Sequence, residues 1–359
     1  MRGCSWIMEA NVVQCNRVMK ARTLKLKQKG GHSMKKIETV HIVGMGALGT
    51  LFGYQMLSAM ETKNLVYVMD RERYEVKKDL EFRVNGERVP FTVKPAEEVT
   101  PCDLLLVATK YTGLKPALDS MKSSIGPDTI IVSVLNGITS EKIIGERYGM
   151  EHMLYTVAQG TDAMYFGSDL TFTKPGMLCL GILPEREEDR PVMQEKLDCV
   201  VEFLERAGIQ HIVEEDIYRR MWGKYMCNVG LNQTCMVYEA GYGKVTTPGT
   251  LEYAVMVSAM REAKMLANAE GVDLTEEDLM NYVALQASME ADAMPSMAQD
   301  RINHKYSEVE MFAGTILELG KKHGMAVPVN EYLYRRVKEI ESNYGEPWTE
   351  IGERDKMNC

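Results

Sequence analysis

Lys224, Asn228 and Asn232 stand at i, i+4 and i+8 of one amphipathic segment, so a helix over that segment carries all three on a single face. Asparagine is a poor residue for a helix interior, and two in register beneath a lysine describe the wall of a polar pocket. The plainer alternative is a solvated stripe with incidental asparagines. The chemistry such a wall would serve is hydride addition to a ketone. That reaction places negative charge on oxygen and needs a proton, and an ammonium in a partly desolvated cleft answers both needs, because burial lowers its pKa toward neutrality. Asparagine amides bind a carboxylate or hydroxyl without adding charge. Glu308 is the candidate partner, orienting Lys224 or accepting a bond from a substrate hydroxyl; its alternative is an ordinary acid on a helix surface.

The run Gly44-Met45-Gly46-Ala47-Leu48-Gly49 offers the place from which hydride would come. It follows an apolar run, Thr39–Val43, and opens a helix-length stretch, the context a dinucleotide-binding turn requires. Gly44 permits the tight turn, Gly46 removes a side chain where a pyrophosphate passes, and Gly49 lets helix and strand approach. The helix N-terminus then presents free N–H groups and partial positive charge to phosphate. Asp70 ends the second apolar run, where a carboxylate accepts from a ribose 2′-OH and repels a 2′-phosphate, or else caps a loop. Arg71 and Arg73 follow at once and could pair with that phosphate bidentately.

The elements that must position these residues alternate in the first part of the chain. Thr39–Val43, Leu65–Met69, Leu104–Ala108 and Thr129–Val134 read as buried parallel strands, with helices over about 47–60 and 115–124. Phe82–Val93 reads as a hairpin turning at Asn85-Gly86. Residues 152–182 look strand-rich, followed by a helix over 192–207 and a short strand over 209–213. This βαβ alternation predicts a Rossmann-like, doubly wound α/β sheet. From Glu214 the texture changes to 3.6-period segments over about 215–238, 248–271, 275–292, 306–323 and 328–343. We therefore expect a dinucleotide-binding domain over 35–213, an all-α substrate and catalytic domain over 214–345, and a tail over 346–359.

Composition narrows the function classes. Of 359 residues 42 are basic and 51 acidic, a net charge of −9 that argues against a nucleic-acid partner. No apolar run approaches the roughly 18 residues of a membrane span, so no membrane partner is expected. Residues 1–34 stand apart, with seven Lys or Arg and one acid, and without a secretory apolar core. This basic leader is expected to lie outside the fold, as upstream translation ahead of Met34 or as an organelle transit segment. Eight dispersed cysteines without a C-x-x-C pair read as reduced thiols of a cytoplasmic protein, and the scattered histidines give no metal site.

Further landmarks lie at strand ends and along the helical half. Lys110 follows Thr109 at the end of one strand, and Asn136-Gly137 ends the next, with Glu141 beyond. Then come Trp222-x-Lys224-x-x-x-Asn228-x-x-x-Asn232, Ser296, Asp300, Glu308 and Gly324-Met-Ala-Val-Pro328. In this order, over about residues 37–343, the set resembles the ketopantoate reductase (2-dehydropantoate 2-reductase) family. The resemblance implies NADPH-dependent reduction of 2-dehydropantoate to (R)-pantoate in a cleft between a Rossmann domain and a helical domain. It implies Lys224 as the catalytic general acid, Glu308 as an active-site glutamate, and Asn228, Asn232 and Ser296 as substrate-binding positions. Asn136 and Lys110 match residues near the nicotinamide and the substrate. The family pattern departs at Ser307, usually threonine, at Val309–Gly314, and at Tyr242, where an asparagine is usual. Three functions are thus in play: this reductase with a small 2-oxo acid as partner, a paralogue acting on another 2-oxo acid, and a non-catalytic dinucleotide-binding sensor. NADPH is the expected cofactor and NAD the alternative, and the helical half allows a homodimer.

Overall fold

The computed structural model describes residues 36–344; the basic leader over 1–34 and the expected tail over 346–359 lie outside them. Strands β1 (Val40–Val43), β2 (Leu65–Met69), β6 (Leu104–Val107) and β7 (Ile130–Ser133) are buried along their whole length. Such strands belong inside a parallel sheet covered on both faces. Together with β5 (Thr92–Pro95), β8 (Met153–Thr161), β11 (Pro175–Gly181) and β12 (His211–Val213) they form an eight-stranded sheet in the order β12-β11-β8-β7-β6-β1-β2-β5. All neighbours run parallel except β11 against β8. Connections depart in opposite directions from β1 and β6, so the crevice at their carboxyl ends is the switch point where such sheets bind ligands.

Helix α1 (Ala47–Met56) leaves β1, α2 (Arg71–Lys77) leaves β2, α3 (Tyr111–Met121) leaves β6, and α4 (Ser140–Tyr148) follows β7. Helix α5 (Arg190–Arg206) packs Leu197, Val200, Phe203 and Leu204 into the core that lies under Ile42, Tyr67 and Leu106. The expected hairpin is real over β3 (Phe82–Val84) and β4 (Glu87–Val89), where Asn85 (φ +49°) and Gly86 (φ +85°) make the turn. It does not extend to residue 93. Pro90 offers no N–H to a ladder, and Thr92–Pro95 leaves to pair with β2. β3 and β4 instead join β9 (Met164–Phe166) and β10 (Asp169–Thr171) in a small second sheet.

Beyond β12 the described residues are helical. The 22-residue α6 (Ile217–Tyr238) is the central column, capped by Asp216, whose carboxylate accepts from the Arg219 N–H. α7 (Tyr242–Thr246), α8 (Leu251–Ala269), α9 (Glu276–Ala287), α10 (Ser296–Ile302), α11 (Thr315–His323) and α12 (Pro328–Glu341) follow. Trp222, Tyr225, Met226, Met256, Met260 and Phe312 form a second core, separate from that of the sheet. The sequence periodicity overran α9 and left α7 and α10 unassigned, because both are too short to establish a period. The expected helix over 306–323 is divided: Glu310–Gly314 is a π-helical turn, and α11 begins only at Thr315.

Candidate active site

At the switch point the glycine loop has the shape its sequence requires. Gly44 lies at φ +108°, and a Cβ there would stand 2.5 Å from the Ala108 carbonyl. A Cβ at Gly49 would lie 2.0 Å from the Gly44 oxygen, so strand and helix meet only because both are glycine. Gly46 is different, for no atom lies within 4 Å of the position its Cβ would take. Open space therefore faces the first turn of α1, which contains no acidic residue and whose start has no side-chain cap. Unsatisfied N–H groups beside an open cradle suit the pyrophosphate of a dinucleotide. Met45, Ala47 and Leu48 complete the turn, and Leu48 packs against the sheet core.

The side chains singled out across the crevice come together. Lys224 projects from the middle of α6 toward the sheet, where its Nζ donates to Asn136 Oδ1 (2.9 Å) and to the carbonyl oxygen of Ala158 (2.6 Å). Both acceptors belong to the α/β half, Asn136 after β7 and Ala158 on β8. Asn136 Nδ2 donates in turn to Glu308 Oε2 (3.4 Å), so one amide links the lysine to the glutamate. Burial brings the Lys224 ammonium down to about 8, against an upward pull from the Glu308 carboxylate. Glu308 is itself only 9% exposed. Its segment is fixed from behind: the Ser307 N–H (2.8 Å) and Oγ (2.6 Å) both donate to Glu341 on α12. The π-turn that follows brings Met311 against the loop after Asn136, where a Cβ at Gly137 would meet Met311 Cγ at 2.9 Å. Such turns recur at functional sites because they redirect side chains within a helix.

One and two turns beyond Lys224 the polar face continues. Asn232 Nδ2 donates to Asn228 Oδ1 (3.4 Å), and Asn232 Oδ1 accepts from Ser296 Oγ (3.1 Å) and the Met297 N–H (3.3 Å). Lys110, at the start of α3, reaches across to Asp300 on α10 (3.1 Å). Burial pushes the Asp300 carboxyl up, while the Lys110 ammonium pulls it back down.

Asp70, Arg71 and Arg73 lie apart from these residues, at the tip of β2. Asp70 caps α2, accepting from the Arg73 N–H (2.8 Å), and the Arg73 guanidinium Nε lies 3.6 Å from its other oxygen. Arg71 turns to Glu97 and Glu98 (2.7 Å each). The sequence drew no attention to these two glutamates or to the Ala158 carbonyl. It marked Asp300 as a landmark without a partner.

A doubly wound sheet with a dinucleotide-shaped turn at its switch point, joined to a helical half whose lysine reaches the residues after β7 and on β8, is the arrangement of a two-domain oxidoreductase. The chain belongs to the ketopantoate reductase family: the model described as ketopantoate reductase PanE/ApbA matches residues 40–161, and that of its C terminal matches residues 216–341. A 2-dehydropantoate 2-reductase of Streptococcus pyogenes is 28% identical over 300 residues, covering 80% of this chain and 93% of that one. Among solved structures, a D-mandelate dehydrogenase with NADH and anilino(oxo)acetate superposes with a TM-score of 0.73 at 23% identity, covering 85% of this chain and 99% of the other. The 2-dehydropantoate 2-reductase from Geobacter metallireducens GS-15 gives 0.72 at 22%, covering 84% and 99%.

Proposed function

We propose that this protein reduces 2-dehydropantoate to (R)-pantoate, with a nicotinamide dinucleotide as reductant and Lys224 as general acid. The observation that carries the reading is the double anchoring of Lys224 by Asn136 and Ala158. An ammonium has three donors. Two are spent on fixed acceptors of the α/β half, which leaves the third for the oxygen of a bound ketone. The glycine loop and the first turn of α1 would hold the pyrophosphate, and the bound reduced nicotinamide supplies the hydride. Lys224 meets the charge developing on the carbonyl oxygen and delivers the proton. With its pKa near 8 it remains mostly protonated at neutral pH, yet is far more acidic than an ordinary lysine. Asn136 keeps the ammonium and Glu308 in one hydrogen-bonded series. Asn228, Asn232 and Ser296 form the polar wall that would receive the substrate's carboxylate and hydroxyl groups, with Lys110 at its rim.

A second reading has a specific basis. Val309, Met311, Phe312, Ala313 and Tyr242, at or within the places where the chain departs from the usual family pattern, are packed into or against the core of the helical half. They favour a related enzyme acting on another 2-oxo acid. The experiment is steady-state reduction of a panel containing 2-dehydropantoate, branched aliphatic 2-oxo acids and an aromatic 2-oxo acid, with NADPH and with NADH. The first reading requires 2-dehydropantoate to have the highest kcat/KM. A preference for another acid supports the second, and no turnover with any of them refutes both. NADPH, which the resemblance implies, would need the arginines at the tip of β2 to face a 2′-phosphate.

A further inference from the structure

The corner of the crevice where β2 ends holds more acid than base, and it holds it in a definite arrangement. β5 runs parallel to β2 with Pro95 level with Met69, so the turn after β5, Ala96–Glu98, lies alongside Asp70 and Arg71. Its two glutamates grip one guanidinium. Arg71 Nε donates to Glu97 Oε1 (2.7 Å), and Nη2 lies within 2.7 Å of both Glu97 Oε1 and Glu98 Oε1. Glu75, one helical turn on, stands 4.0 Å from Nη1, and Arg71 also lies over the Tyr74 ring at 5.5 Å. Arg73 is drawn to Asp70. Each arginine that could serve a 2′-phosphate is therefore paired with a carboxylate.

We propose that Glu97 and Glu98 set the dinucleotide preference of this chain: they hold Arg71 off the ribose edge and oppose a 2′-phosphate, so the enzyme selects NADH. This rests on the dinucleotide-dependent reading above and goes beyond it. Asp70 stands at the tip of β2, where a carboxylate accepts a hydrogen bond from the ribose 2′-OH of NADH. NADPH would bring a phosphate dianion into a corner lined by Asp70, Glu97 and Glu98. To use Arg71 it would also have to separate that side chain from two partners. A single exposed ion pair is weak, but here release of the arginine leaves two carboxylates facing the phosphate, and the two effects act in the same direction.

The test is direct titration with NADH and NADPH, followed by nicotinamide or tryptophan fluorescence, on the full chain without substrate. Wild type should bind NADH on the order of tenfold more tightly than NADPH or better. The double variant Glu97→Gln/Glu98→Gln should bring the two affinities close to parity by gaining NADPH, with NADH changed less than about threefold. Arg71→Ala, which leaves the two carboxylates without their shared cation, should leave NADH affinity near that of wild type and should not strengthen NADPH binding. The inference is overturned if wild type prefers NADPH, if the glutamine pair leaves the ratio unchanged or weakens both cofactors alike, or if Arg71→Ala strengthens NADPH binding. Because no turnover is needed, the two levels separate. NADH-selective binding with no reduction of any 2-oxo acid would refute the reductase reading only, whereas reduction that runs best with NADPH would refute this inference only.

Discussion

Replacing Glu308 by glutamine should move the alkaline limb of the pH–rate profile to lower pH. Lys224 is the proposed acid, so reduction requires its ammonium, and kcat/KM should fall as pH rises through its pKa of about 8. Burial lowers that value, and the Glu308 carboxylate opposes the lowering. Glutamine keeps the side-chain oxygen that accepts from Asn136 but removes the charge, and with it the largest of the upward pulls on the lysine. The contacts through Asn136, 2.9 Å and 3.4 Å, bound the size of the effect. They keep ammonium and carboxylate within about 8–9 Å, where one charge pair is worth about 0.5 kcal/mol at the dielectric of water and about 2 kcal/mol at an effective dielectric of 20. The midpoint should therefore fall by about a third of a unit to one and a half units. The assay is kcat/KM for the preferred 2-oxo acid between pH 6 and 10, with the reduced dinucleotide saturating. An unmoved limb would mean that Glu308 does not act on the lysine electrostatically. A limb moved upward would refute the sign of the argument and, with it, Lys224 as the titrating acid.

Lys224→Ala should lower kcat by about 10²–10⁴-fold, the usual loss for a general acid, and near-wild-type turnover ends the assignment. Asn228→Ala and Asn232→Ala should raise KM for the 2-oxo acid while leaving dinucleotide affinity alone, as checked by fluorescence titration; the second also removes the acceptor for Ser296 and Met297. Glu141, only 1% exposed, has a folded pKa raised to about 7 by burial. Its folded pKa exceeds its unfolded one, so it subtracts stability progressively as pH rises from about 4.5 to about 7, and fully above that. Glu141→Gln should then raise Tm at pH 8 and have little effect at pH 4.5, with a gain of up to about 3 kcal/mol; equal effects at both pH values would contradict it.

The sheet was legible because its strands are uniformly apolar and its turns carry specific residues. Val40–Val43 and Leu104–Val107 admit few readings other than buried parallel strands, and Asn85-Gly86 specifies a turn whose positive φ values the structure realises. Misreadings arose where tertiary pairing overrides local pattern. Thr92–Pro95 alternates well enough to continue a hairpin, but Pro90 disrupts the local ladder and the open edge of β2 takes the strand instead. Helix α3 begins at Tyr111 and carries Pro116 in its interior, whereas the sequence suggested a start beside that proline. Leu114 is fully buried there, and its packing against the sheet outweighs the local preference for proline in the first turn.

At the site, side chains whose chemistry is specific could be read and backbone groups could not. Lys224, Asn136 and Glu308 lie far apart in sequence, yet each has a residue type and an element position that single it out, and they meet through two hydrogen bonds. The carbonyl of Ala158 makes the shorter bond to the lysine, and nothing about alanine announces it. Its position follows from β8 running beside β7, so that one strand presents a carbonyl beside the loop that carries Asn136 beyond the other. The lysine thus comes from one half of the molecule and both acceptors that orient it come from the other. Its lowered pKa is a property of the seam between the halves, which explains why a helix pattern could nominate Lys224 but only the packed molecule gives it the environment of an acid.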